Sequence, residues 1–106
     1  MMRYGKNYKF GDILLAYLNY TDTNEIKIRP VLVLFEEHGN IVVAGITSNI
    51  NMIGVEITKK EGMITDSIIK LNYIMTISEA MVKKYLLSVS ENKKKIVKEE
   101  ILKKIN

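Results

Sequence analysis

Arg29-Pro30-Val31-Leu32-Val33-Leu34-Phe35, the polar stretch Glu36-Glu37-His38-Gly39-Asn40, and Ile41-Val42-Val43-Ala44-Gly45-Ile46 decide how this chain folds. Two apolar, β-branched runs separated by a short polar segment with a glycine read as a β-hairpin. The glycine supplies the positive φ that a tight reversal needs. Pro30 has no N–H to give to a ladder, so it belongs at the start of its strand or on an edge.

Upstream, Gly11-Asp12 punctuates the entry to Ile13-Leu14-Leu15-Ala16-Tyr17-Leu18, a strand apolar on both faces and therefore buried. Residues 19–24 form a loop rich in side chains that bond their own backbone. Downstream, Val55-Glu56-Ile57 alternates, Lys59-Lys60-Glu61-Gly62 turns, and Ser67 to Leu71 and Tyr73 to Ile77 make two more strands. Five or six short strands divided by turns predict a mainly β (α+β) fold, a small and strongly bent barrel-like sheet. Ser78 is expected to cap a short helix presenting Met81, Val82, Tyr85 and Leu86, with a brief strand at Leu87 to Val89. From Ser90 a C-terminal helix carries Val97, Ile101 and Ile105 on one stripe, flanked by Ile96 and Leu102. With no repeat or linker, residues 1–106 are expected to form one domain.

Composition narrows the chemistry. The 106 residues contain no cysteine and one histidine, His38, which leaves no thiol nucleophile, no thiolate ligand and no multi-histidine metal site. No metal or cofactor is expected. The apolar runs are far shorter than the roughly 20 residues of a membrane-spanning helix, and the polar N-terminus lacks the pattern of a signal peptide. A cytoplasmic protein is expected. The net charge is +4, and all of the excess falls after residue 78 in a lysine-rich end. A basic end of this kind is either a solvated helix face or a surface for phosphates.

Sixteen side chains are basic but only two are arginines, Arg3 and Arg29. An arginine at the mouth of a buried strand presents a fixed charged fork suited to phosphate. It could equally pair with Glu25 or Asp22. Thr47-Ser48-Asn49 closes the next strand, where hydroxyls and an amide can bind phosphate oxygens or simply cap a turn. His38 reads as an exposed turn residue. Tyr17, Tyr20 and Tyr73 can stack on unpaired bases or serve as core residues.

The order of these features carries more than any one of them. Phe10-Gly11-Asp12-Ile13-Leu14-Leu15, then Arg29-Pro30-Val31-Leu32-Val33-Leu34, then Val42 to Asn49 resembles the N-terminal half of PemK/MazF toxins. Asp66 to Ile77 is similar to the later strand pair of that family, and the resemblance spans about residues 9–105. It implies an SH3-like barrel of five to seven strands with a C-terminal helix, a homodimer, and an acidic antitoxin as protein partner. It further implies metal-independent cleavage of single-stranded RNA through attack by the 2′-hydroxyl. By position, Arg29 would bind the phosphate and Thr47, helped by Ser48, would steady it. Glu25 would be the residue able to act as base, and Asn24, Tyr20, Asn49 and Lys70 would contact substrate. The sequence departs from the family pattern at Gly45, where proline is common, and at Lys70 and Asn72, where some members place arginine and aspartate. Those departures keep two alternatives open: a non-nuclease toxin similar to CcdB that binds a protein, and an inactive RNA-binding module using Lys93, Lys94 and Lys95.

Overall fold

A computed structural model describes residues 7–20 and 25–106, Tyr20 by its backbone alone. The central hairpin joins β2 (Glu25–Glu37) to β3 (Asn40–Thr47). His38 and Gly39 both take positive φ, 51° and 83°, so the two-residue reversal follows the right-handed twist of its strands. β1 (Asp12–Tyr20) lies on the other side of β2. β4 (Val55–Ile57), β5 (Ser67–Ser78) and β6 (Val82–Ser88) complete one antiparallel sheet in the order β4-β5-β3-β2-β1-β6. It curls into a half-barrel, with α1 (Glu91–Ile105) the one α-helix among the described residues.

Alternation along the strands explains why the first strand is apolar on both faces. Ile13 and Leu32 face one core with Ile46, Ile69, Leu71 and Val97; Leu14, Val31 and Val33 face a second with Ile41, Val43 and Ile77. A strand covered on both sides cannot afford a polar face. Asp12, at the entry to β1, fastens it at both ends of its carboxylate. Oδ2 accepts from the Lys9 amide at 2.9 Å and Oδ1 from the Ser88 hydroxyl at 2.6 Å. Gly11 beside it has φ 98°, and a Cβ there would lie 2.6 Å from Cε of Lys94.

Three expectations change. β2 begins at Glu25 rather than Arg29, which puts Pro30 inside it. The ladder tolerates this because residues 25–30 pair only with β1, and β3 joins from Val31 onward. β5 is one strand, not two; Leu71, Asn72 and Tyr73 bulge out between Lys70, opposite Gly45, and Ile74, opposite Ala44. The segment expected as a short helix is a single 3-10 turn, Glu79–Met81, followed by β6. β6 pairs with β1 from Asp12 to Ala16, and satisfying that edge outweighs a helical spacing of four apolar residues.

The C-terminal helix starts at Ser90, whose Oγ accepts from the Lys93 amide at 3.1 Å. Val97 is fully buried and Ile96 and Ile101 are partly so, whereas Ile105 is exposed. Two of the three successive lysines are structural. Lys93 donates to the Glu56 carbonyl at 2.6 Å and pairs with Glu61 at 3.3 Å, fixing the helix to β4 and the turn after it. Lys94 pairs with Glu91 at 3.0 Å.

Candidate active site

Register decides which strand-end side chains meet. Leu34 bulges out of the β2–β3 ladder, shifting the pairing so that Val31 stands opposite Gly45. Two residues further, the same register sets Arg29 across from Thr47. Gly45 pairs on its other side with Lys70 of β5. Since side chains two apart share a face, Arg29, Thr47 and Lys70 come to one side of the sheet.

There they line a groove of about 780 Å³. Arg29 and Lys70 supply two positive charges, and Thr47, Ser48, Thr65 and Ser67 supply hydroxyls. Tyr73 forms one wall, and Leu15, Ile28, Pro30, Ile46 and Met63 are among the apolar lining. Among the described residues, no carboxylate and no histidine lines the groove. Arg29 donates from Nη1 to its neighbour's carbonyl, Ile28 O, at 2.9 Å, and among the described residues neither Arg29 nor Lys70 makes an ion pair. Both cations are thus available to an anion. Ser67 is 3 % exposed and its hydroxyl is committed to the Thr65 carbonyl at 2.9 Å, so it shapes the rim.

Thr47 does two jobs. Its Oγ1 accepts from the Asn49 amide at 3.1 Å, closing the turn, which leaves its proton free to donate into the groove. Asn49 does not line the groove; its Oδ1 accepts from the Asn51 amide at 3.1 Å and shapes the following loop.

Glu25 also stands outside the groove. Four strand residues, roughly 13 Å, separate it from Arg29, and its Oε1 lies 3.6 Å from Lys27 Nζ. Asn24 and the side chain of Tyr20 lie outside the described residues. Asn72 points to a separate cleft beside α1. Tyr73, half-exposed in the groove, is the residue whose importance sequence reasoning underrated. A Cβ at Gly45 would lie 2.9 Å from Cδ2 of its ring, so the glycine where proline is common makes room for this tyrosine. Among the described residues no group of three or more His, Cys, Asp or Glu could hold a metal ion, and no helix is long and apolar enough to cross a membrane.

Comparison with known proteins agrees with this architecture. The toxin MazF-mt6 of Mycobacterium tuberculosis is similar in fold, with a TM-score of 0.72 over 89 % of this chain and 95 % of that one, at 23 % identity. No curated relative matches the chain. The family described as PemK-like, MazF-like toxin of type II toxin-antitoxin system matches residues 9–105, nearly the whole sequence. The chain belongs to this family of toxins.

Proposed function

We infer that the groove binds single-stranded RNA and cleaves it by transesterification. Membership in the family makes the chain a toxin of the endoribonuclease type, with RNA as substrate and an antitoxin as partner. One observation carries the finer reading: two cations without carboxylate partners among the described residues, Arg29 and Lys70, share an open groove with the Thr47 and Ser48 hydroxyls. A phosphodiester fits such a lining, and Tyr73 offers a face for an adjoining base.

In this reaction the RNA 2′-oxygen loses its proton and bonds to the neighbouring phosphorus. The P–O5′ bond breaks and O5′ takes up a proton, leaving a cyclic phosphate and a 5′-hydroxyl. Charge accumulates on the non-bridging oxygens, and the Arg29 fork with Lys70 offsets it while Thr47 donates a hydrogen bond. None of this requires a nucleophile from the protein. The purified protein is therefore expected to cut single-stranded RNA in excess EDTA, with 5′-hydroxyl ends on the products. Intact RNA across varied sequences, from protein shown to be folded, overturns the reading.

A second reading follows from the lack, among the described residues lining the groove, of a carboxylate or histidine to take the 2′ proton. A toxin that grips a protein target would need no base, and it would inhibit gyrase with RNA left intact.

The active unit in this proposal is a homodimer. Leu102 and Ile105 near the end of α1 are 59 % and 76 % exposed, an apolar surface that a second copy would cover. Sedimentation equilibrium is expected to give twice the 12.2 kDa of one chain, and a single-chain mass at micromolar concentration contradicts it.

A further inference from the structure

The three-residue bulge of β5 does more than displace a ladder. Asn72 and Tyr73 leave it in different directions: Tyr73 lines the groove, and Asn72 lines a second cleft of about 470 Å³ between the 51–54 loop and α1. Lys70 borders both, so the two hollows share a wall that carries a positive charge.

We propose that this second cleft receives the nucleobase next to the phosphate held at Lys70, and reads it through the amides of Asn51 and Asn72. The proposal rests on the RNA reading of the groove and adds a specificity site to it. A strand whose phosphate lies on Lys70 has one base on the Tyr73 side of that charge and its neighbour on the Asn72 side. The cleft suits a base better than a second phosphate. Its lining includes the apolar side chains of Ile53 and Leu71, and its Glu100 carboxylate is paired through Oε2 with Lys103 Nζ at 3.1 Å, leaving Oε1 open. Glu100 is also an acceptor for an exocyclic amine, and Lys104 is a donor for a carbonyl or ring nitrogen. The side-chain amides of Asn51 and Asn72 present a donor and an acceptor each, and among the described residues neither is hydrogen-bonded within the protein. Paired amide contacts of this sort discriminate bases on the order of ten-fold.

The test uses single-stranded hexanucleotides with 2′-O-methyl groups, which cannot be cut, varied one position at a time. Affinities are measured by fluorescence anisotropy for the wild type, Asn72→Ala and Arg29→Ala, beside cleavage of the corresponding unmodified RNA. Asn72 is exposed and its substitution leaves the core untouched. The wild type is expected to show a base preference at one position that Asn72→Ala reduces on the order of ten-fold, while Arg29→Ala weakens all sequences alike. A preference unchanged in Asn72→Ala, or no preference in the wild type, overturns the second site; Arg29-dependent cleavage in the same samples would leave the reading of the groove standing. Absence of both binding and cleavage in folded wild type overturns the two together.

Discussion

Arg29→Ala is expected to lower the rate of RNA cleavage by about 10²–10³-fold, the usual cost of removing one donor aimed at a developing oxyanion. The size of the effect follows from isolation. Among the described residues Arg29 has no carboxylate partner, so its full charge is directed at the substrate, and only Lys70 joins it as a cation lining the groove. Stability should barely move, since the side chain is exposed and its hydrogen bond among the described residues is to the adjacent carbonyl. Arg29→Lys restores a point charge but not the planar fork, so it should recover only part of the loss. Rates come from a fluorogenic oligonucleotide and folding from thermal melts of the same preparations. Unimpaired cleavage by Arg29→Ala would remove this residue from the chemistry.

Ile69→Ala is expected to cost about 2–5 kcal/mol of stability, the range for deleting most of a buried isoleucine side chain. Ile69 is fully buried where three strands meet, opposite Ile46 on β3 and Val55 on β4, and it belongs to the core that includes Val97 of α1. Little can collapse into the space because the neighbours are held by ladders on both sides. A domain of this size has about 5–15 kcal/mol in all, and each kcal/mol moves the melting temperature by roughly 4–8 °C. A fall of at least about 10 °C, with a lower urea midpoint and unchanged slope, is the expected result. A shift below about 1 kcal/mol would contradict the packing described for this core.

The hairpin was legible because its signals are local: two β-branched runs and a glycine-bearing turn with room for nothing else. The C-terminal helix was legible for the same reason, through Ser90 and the stripe ending in Val97 and Ile101. The error at Met81 to Leu86 arose because four apolar residues at helical spacing also fit a strand, and the free edge of β1 that chose between them lies some seventy residues away. The meeting of Arg29 and Thr47 on one face depended on Leu34. Without its bulge the hairpin register would set Arg29 against Ser48 and put Thr47 on the opposite face from it, and no residue type announces a bulge. Family resemblance named the same two residues without that geometry. Position alone also assigned Glu25 and Asn49 to one site, whereas strand length and a turn carry each of them outside the groove.

The one-sided pairing of residues 25–30 has a mechanical consequence. Among the described residues, Tyr17–Tyr20 and Glu25–Ile28 pair only with each other, because the pairing of β6 with β1 ends at Ala16 and that of β3 with β2 starts at Val31. They form a cantilever projecting from a clamped sheet. An isolated two-stranded ribbon is marginal in water, so this arm opens and bends at far lower free energy than the sheet that holds it. Arg29 is fixed at the clamp rather than carried on the beam. Its strand partner Ala16 is the last residue of β1 held from both sides. The arm can therefore swing over substrates of different shape while the charge that meets the phosphate stays where it is.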